Sequence, residues 1–152
     1  MLETPHAALG IAIAVAVPNP SVAIPLAFAS HFILDMVPHW NPHINTEMKK
    51  YGKLTNRTFL IIGLDLVATA ILTGFVAYKA LPNSSLFYSV LISSFVSILP
   101  DIAEGPYFLF GWRNKYLDVI LRFQRSIQVN ANIFWGLLTQ ILVILGSLYI
   151  IS

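Results

Sequence analysis

Long apolar segments dominate this chain and limit the folds that it can adopt. Five of them, separated by proline, asparagine, glycine and charged residues, cover residues 7–17, 21–37, 58–81, 85–99 and 133–151. A helix needs about 20 apolar residues, within a range near 17–25, to cross a bilayer. The third and fifth segments meet this length, the second and fourth are marginal, and the first is too short. We therefore predict an all-α, polytopic membrane bundle of about five helices, whose first two helices form a short or re-entrant hairpin.

Composition favours a membrane protein over a soluble one. The chain is 57% hydrophobic and 11% charged, whereas soluble domains are about 45–50% apolar and about 25% charged. Nine basic and seven acidic residues are too few to solvate the surface of a soluble domain, so we interpret residues 1–152 as a single membrane domain. The absence of cysteine excludes disulfides, thiolate nucleophiles and cysteine-ligated zinc sites.

Residues 112–128 differ from the five apolar segments. Apolar and aromatic side chains alternate there with Arg113, Lys115, Arg122 and Arg125. Such a pattern is typical of an amphipathic helix that lies in the membrane interface with its basic side chains toward anionic lipid. A helix that packs on the bundle outside the membrane would show the same pattern, and the sequence leaves both interpretations open.

The basic residues predict an orientation. Four lie between the second and third apolar segments and four between the fourth and fifth, and only Lys79 falls at the other face. If every segment crosses the membrane, both basic loops lie on one side, which the positive-inside rule assigns to the cytoplasm. The predicted protein is thus a multi-pass protein of the cell inner membrane, with its N-terminus in the cytoplasm and its C-terminus on the opposite side.

The histidines lie early in the chain, and His31 and Asp35 form the central pair. Residues four apart share one face of a helix, and Pro38 would end that helix just before His39. Imidazole and carboxylate ligands together suit zinc, manganese, iron or nickel better than calcium, and we expect zinc or manganese. The alternative is structural: His31 and Asp35 could bond to each other and cap the helix.

Carboxylates within or just after the later apolar segments add to this pattern. Asp65 lies about 12 Å into the third segment at 1.5 Å per residue, without a partner on its own helix face. Buried ionisable groups in a membrane are expensive and pair with other groups, so we expect a cation or a shared proton from another helix. Asp101 and Glu104 follow Pro100, which we expect to end the fourth helix, and they form either a ligand loop or a solvated loop.

In the predicted orientation these groups all lie at a similar depth on the cytoplasmic side. We therefore predict a metal or polar catalytic site there. The expected metal ligands are His6, His31, Asp35, His39 and Asp101. Asp65 and Glu104 are the expected catalytic carboxylates, either as general base or as ligands of a second ion.

Three short segments carry a resemblance to a known family. Thr4-Pro5-His6-Ala-Ala-Leu-Gly10 resembles a Thr-His-Leu-x-x-Gly motif, Ser30-His31-Phe-Ile-Leu-Asp35 a Ser-His-x-x-Leu-Asp motif, and Leu99-Pro100-Asp101 a Leu-Pro-Asp-Ile-Asp motif. These motifs are found in the YdjM-like family of inner-membrane metal-dependent hydrolases. The resemblance implies a compact helical membrane protein with metal ligands at His6, His31, Asp35 and Asp101. The chain departs from the family at Ala103-Glu104, where the family has Asp-His, and it lacks a His-Arg-Gly-x-Thr-His-Ser segment.

Three functions follow from these observations. The first is a membrane-bound, metal-dependent hydrolase that acts at the cytoplasmic face on a lipid-borne or phosphate-containing substrate, with Arg122 and Arg125 holding an anionic headgroup. The second is a small ion or solute transporter, which with so few helices would require a homo-oligomer. The third is a non-catalytic scaffold in which polar side chains such as Gln140 serve helix association. Nucleic acid is not expected as a partner, because the basic residues lie at the membrane surface.

Overall fold

The computed structural model describes residues 1–152 and contains seven α-helices and no β-sheet. The helices are α1 (Glu3–Ala16), α2 (Pro20–Asp35), α3 (Ile44–Tyr51), α4 (Asn56–Ala80), α5 (Ser84–Phe110), α6 (Lys115–Ile127) and α7 (Ile133–Ile151). The all-α prediction is confirmed. Three helices, α4, α5 and α7, are long and apolar enough to cross a membrane, which is fewer than the five predicted.

The first two helices are too short to count as spans. α1 has 14 residues and α2 has 16, so their lengths are about 21 Å and about 24 Å at 1.5 Å per residue. The hydrocarbon core of a bilayer is about 30 Å thick. Pro18 and Pro20, which bracket Asn19, end α1 and begin α2, and this break limits both lengths.

The protein exposes many large apolar side chains and buries many polar ones, unlike a soluble protein. Large apolar side chains on α4, such as Leu60, Leu64 and Ile71, are 62%, 62% and 67% exposed. The interior instead holds many polar side chains. Six of them are 0% exposed: His6, His31, Asp35, His39, Ser93 and Ser97. An apolar surface around a polar interior matches a lipid environment and not water.

α1 is the central helix of the bundle, and it packs against α2, α4, α5 and α7. Its closest approach to α5 is at Gly10, where an added Cβ would lie 2.7 Å from the carbonyl oxygen of Ser93 and 2.7 Å from Oγ of Ser97. Small residues allow helix backbones to approach closely in this way. Because His6 lies one turn before Gly10, this contact fixes His6 beside the C-terminal half of α5.

The two ends of the bundle differ. At the end that we call the apolar end, Ile11, Ala14, Val76, Ala77 and Val90 form a hydrophobic cluster. At the other end, which we call the polar end, lie the buried histidines and carboxylates.

Both basic loops meet at the polar end. Nη2 of Arg125 donates to Oδ1 of Asn45 at 2.5 Å, and His39 forms an isolated backbone bridge with Asn130. These contacts join the loop after α2 to the segment around α6.

One predicted boundary needs correction at this end. α5 does not end at Pro100 but continues through Pro100 and Pro106 to Phe110. Proline is tolerated within a membrane helix where a neighbouring helix satisfies the freed backbone groups. Here the carbonyl of Ser97, on the turn before Pro100, accepts a hydrogen bond of 2.8 Å from His31.

The predicted amphipathic segment forms α6, which packs on α5 and α2. Leu121 and Gln124 are buried in this contact, whereas Tyr116, Val119 and Phe123 remain exposed. α6 therefore packs on the bundle and still presents an apolar outer face.

Candidate metal centre

Histidine and carboxylate side chains from three elements converge at the polar end. His31 and Asp35 are one turn apart on α2, His6 comes from α1, and His39 comes from the loop after α2. The Nε2 atoms of His6 and His39 lie 3.4 Å and 3.8 Å from Oδ1 of Asp35, and Nε2 of His31 lies 3.5 Å from Oδ2. Three imidazoles therefore surround one carboxylate, and the predicted pairing of His31 with Asp35 on one helix face is confirmed.

Asp101 of α5 completes this arrangement. Its Oδ1 lies 3.7 Å from Nε2 of His31. Ligand atoms of His6, His31 and Asp101 all lie within 4.8 Å of one another, so these three residues could hold a metal ion. The rings of His6 and His31 stack with their centroids 4.1 Å apart, which holds both imidazoles on the same side of the cluster.

Backbone carbonyls fix the orientation of two of the imidazoles. Nδ1 of His31 lies 2.8 Å from the carbonyl oxygen of Ser97, and Nδ1 of His39 lies 2.8 Å from that of Val37. Since a carbonyl can only accept, each Nδ1 carries a proton, and Nε2 is the ring nitrogen that faces the carboxylates. This is the arrangement in which histidine binds metal ions. Burial lowers the pKa of His39, which favours the neutral imidazole that a metal requires.

Three buried atoms of the cluster lack hydrogen-bond partners. Neither ring nitrogen of His6 has a hydrogen-bond partner, nor does Oδ2 of Asp35. The main-chain nitrogen of Met1 donates to the other oxygen of Asp35, Oδ1, at 2.5 Å. Buried polar atoms are nearly always hydrogen-bonded, and exceptions point to a strained, functional or ion-binding position.

The distances between the imidazoles and the carboxylates help to distinguish direct hydrogen bonds from a shared metal ion. Hydrogen bonds between nitrogen and oxygen are about 2.7–3.2 Å long, so separations of 3.4–3.8 Å are too long. Two ligands that each lie about 2.1 Å from one ion are at most about 4.2 Å apart, and all four separations fall within that limit. These four separations are therefore compatible with a shared divalent cation, while Asp35 and Asp101 also accept hydrogen bonds from Met1 and Gln124.

The structure also brings in Gln124, which sequence reasoning missed. This α6 side chain is 2% exposed, and its Nε2 donates to Oδ1 of Asp101 at 2.8 Å and lies 3.4 Å from Nε2 of His31. It therefore orients two of the candidate ligands. The sequence did indicate that Gln124 is buried, because its spacing places it on the same helix face as Leu117 and Leu121. A glutamine buried on an apolar face needs a hydrogen-bond partner.

Asp65 is held by hydrogen bonds from another helix, and its predicted catalytic role stays a prediction. Its oxygens accept hydrogen bonds from the main-chain N–H of Glu3 at 2.5 Å and of Thr4 at 3.2 Å, and from the Thr4 hydroxyl at 2.6 Å. The partner from another helix is thus the N-terminus of α1, whose dipole favours a negative charge. Asp65 is not among the residues that converge on Asp35.

A cleft of about 680 Å³ opens beside the cluster between α3, α4, α5 and α6. Asp101, Glu104, Gln124 and Arg125 line its polar part. Oε1 of Glu104 is buried without a hydrogen-bond partner. Glu104 therefore faces the cleft next to Asp101, where it can act on a bound molecule.

Comparisons of the chain with protein-family models, with curated proteins and with solved structures find no match.

Proposed function

We propose that this chain is a membrane-embedded, metal-dependent hydrolase of phosphate esters. Zinc or manganese would be held by His6, His31 and Asp101, with Asp35 and His39 completing the ligand set. The observation that carries the proposal is the convergence of imidazole nitrogens and carboxylate oxygens, 3.4–3.8 Å apart, with both ring nitrogens of His6 and Oδ2 of Asp35 unpartnered, beside an open cleft.

The chemistry divides between the ion and the protein. A bound divalent ion lowers the pKa of a water molecule and polarises a phosphoryl oxygen. Glu104 acts as general base from the cleft wall. As the water oxygen bonds to phosphorus and the ester P–O bond breaks, Glu104 takes one proton from the water and returns it to the departing alkoxide. Arg125, on the same cleft, binds the phosphate oxygens.

The proposal includes a membrane orientation. The contacts between the two basic loops at the polar end support one shared side for these loops, and the positive-inside rule favours the cytoplasm for it. The N-terminus and the metal centre would then face the cytoplasm, and the C-terminus the opposite side. The resemblance to the YdjM-like inner-membrane hydrolases stays a prediction, and it agrees with this orientation and with these ligands.

Transport is less well supported than hydrolysis. Beyond Gly10 the interior holds the apolar cluster of Ile11, Ala14, Val76, Ala77 and Val90 and buried hydroxyls such as that of Ser89, but no buried ionisable side chain that could relay an ion to the apolar end. A scaffold would not require unpartnered histidine nitrogens in its interior, because such groups cost free energy.

Metal content and hydrolysis test the proposal together. The protein, purified without chelator, is analysed by inductively coupled plasma mass spectrometry, and its hydrolysis of bis(p-nitrophenyl) phosphate is followed by release of p-nitrophenol. We expect a metal-to-chain ratio near one, which His6→Ala and His31→Ala abolish. His43→Ala is the matched control, because this histidine is exposed on the loop that begins α3 and should retain the metal.

Two results would contradict the proposal in different ways. A wild-type protein without stoichiometric metal, even after incubation with zinc or manganese, would refute the metal centre. Full metal content with no hydrolysis that depends on it, or a Glu104→Gln variant as active as wild type, would refute the hydrolase or the assigned base and leave the metal centre intact.

A further inference from the structure

The cleft beside the metal centre has two chemically distinct halves. Its polar half carries Asp101, Glu104, Gln124 and Arg125. Its apolar half is formed by two helices, with Phe59, Ile62 and Leu66 from α4 and Ile102, Phe108 and Leu109 from α5. A site for a small soluble phosphate ester would have no use for six large apolar side chains, so the second half indicates that the ligand carries a hydrocarbon part.

The apolar half opens sideways onto the outer surface of the bundle. Leu66, Ile102 and Leu109 line the cleft and are also 41%, 42% and 54% exposed. Their exposed surfaces continue into the apolar surface of α4 and α5, the two neighbouring helices that could cross a membrane. A ligand can therefore lie with one end in the polar half while its hydrocarbon part extends out between α4 and α5.

The polar half selects the headgroup. Arg125 is the one lysine or arginine that lines the cleft, and its hydrogen bond of 2.5 Å to Oδ1 of Asn45 orients the guanidinium. A guanidinium held in this way suits the two oxygens of a phosphate group. Four carboxylates, those of Glu3, Asp65, Asp101 and Glu104, also line the cleft, and their charges would repel a phosphate unless a cation lay between them.

We infer that the cleft binds a glycerophospholipid with an anionic headgroup, such as phosphatidylglycerol, as the substrate of the metal centre. The phosphate lies between Arg125 and the metal centre, and the acyl chains lie along α4 and α5. This inference rests on the proposed function for the fate of the bound lipid, but the binding itself is tested separately.

The test uses pairs of variants that differ only in whether the residue lines the cleft. Ile102 and Ile92 both lie on α5 and are both 42% exposed, but only Ile102 lines the cleft. Arg125 and Arg122 both lie exposed on α6, and only Arg125 lines the cleft. The variants are thus Ile102→Trp against Ile92→Trp, and Arg125→Gln against Arg122→Gln.

Binding of phosphatidylglycerol to the delipidated, detergent-solubilised full chain is measured by native mass spectrometry. We expect Ile102→Trp to weaken binding about tenfold by filling the apolar half. Arg125→Gln should weaken it about tenfold by removing a charge-assisted hydrogen bond. Ile92→Trp and Arg122→Gln should stay near wild type. Metal content measured on all four variants shows that their fold and metal centre are intact.

A second experiment distinguishes binding of the whole lipid from binding of its headgroup alone. Glycerol 3-phosphate should bind much more weakly than phosphatidylglycerol, and its affinity should not change in Ile102→Trp. If the two ligands bind equally well, or if Ile102→Trp and Ile92→Trp weaken phosphatidylglycerol binding to the same extent, the inference is overturned. That outcome, together with retained metal and retained hydrolysis of bis(p-nitrophenyl) phosphate, would leave the proposed function standing. If the wild-type protein bound no metal, the proposed function would be refuted. The comparison of phosphatidylglycerol binding between the paired variants would still test whether the cleft binds a lipid.

Discussion

The polar and apolar ends of the bundle are built from the same helices, yet they bury opposite kinds of side chain. At the apolar end α1, α4 and α5 pack through Ile11, Ala14, Val76, Ala77 and Val90, which have no polar side-chain atoms to satisfy. At the polar end α1 and α5 contribute His6 and Asp101, and α2 adds His31 and Asp35. One end resembles an ordinary core, and the other resembles a binding site.

The difference shows where stability and function reside in this chain. Packing alone satisfies the five residues of the apolar cluster, and near them only serine hydroxyls, those of Ser89 and Ser93, are buried without a hydrogen-bond partner. The polar end retains buried nitrogen and oxygen atoms without hydrogen bonds, and burial of such atoms is costly unless they are paired or coordinate a metal ion. The polar end should therefore depend on a ligand, whereas the apolar end should not.

The largest expected effect is the response of the two ends to chelation. Removal of a metal that is present at about 100 times its Kd costs about 2.7 kcal/mol. Hydrogen exchange in detergent should therefore show a loss of protection of about hundredfold in the last turn of α2, which carries His31 and Asp35. Amides around Val76 and Val90 should keep their protection from exchange. Equal loss at both ends, or no loss at either, would remove the distinction between them.

Close helix contacts provide the next comparison. Gly10→Ala places a methyl group 2.7 Å from the Ser93 carbonyl oxygen, and such overpacking costs about 1–3 kcal/mol. Gly74→Ala is the matched control, because a Cβ on that α4 glycine meets nothing within 4 Å. We expect the free energy of unfolding, measured in sodium dodecyl sulfate, to fall for Gly10→Ala alone. A similar fall for Gly74→Ala would show that general helix effects dominate.

Helix capping gives a smaller effect. Asp65→Ala removes the acceptor of the N–H groups of Glu3 and Thr4, and loss of a helix cap costs about 0.5–2 kcal/mol. Asn83→Ala removes the cap of α5 at the opposite end, where Asn83 accepts from Leu86 N–H at 3.1 Å. Both variants should lose stability in the same unfolding assay and retain their metal. If Asp65→Ala lost its metal while Asn83→Ala did not, Asp65 would belong to the metal centre after all.

The smallest expected effect is a dependence on pH at the exposed loop around α3. The main-chain N–H of Thr55 and the Thr58 hydroxyl donate to Glu47 at 2.9 Å and 2.8 Å, and they lower its pKa. Because the folded-state pKa is the lower one, this tether is fully present above the unfolded pKa of about 4.3. It is lost as the pH falls through the folded value. The Thr55 amide resonance should follow this titration in NMR spectra, and Glu47→Gln should abolish the dependence.

Sequence reasoning located most of the candidate site because its signals are local. A spacing of four residues between His31 and Asp35 fixes their shared helix face, and the basic loops indicate which ends of the helices meet. The five apolar segments each become a helix, and Met36 follows α2 as its C-cap, so the helix ends before Pro38 and leaves His39 in the loop, as predicted.

Three features could not be predicted from the sequence, because they depend on contacts between helices: the end of α5, the partner of Asp65 and the central position of α1. Pro100 lies inside α5 and does not end it, and the Ser97 carbonyl on the preceding turn bonds to His31 of another helix. Asp65 finds its partner in the N–H groups of α1, which only the packing of α1 against α4 brings near. The short α1 lies at the centre of the bundle because Gly10 and Ala14 face small or apolar neighbours, and length alone does not reveal that position.

X-ray absorption spectroscopy of the zinc-loaded protein tests the proposed metal centre most directly. The fine structure should show nitrogen and oxygen ligands at about 2.0–2.1 Å, with the outer-shell scattering of at least two imidazole rings. His6→Ala should reduce that imidazole scattering, and His43→Ala should leave it unchanged. A shell of oxygen ligands without imidazole scattering, or a spectrum that does not change in His6→Ala, would contradict a metal centre at the polar end.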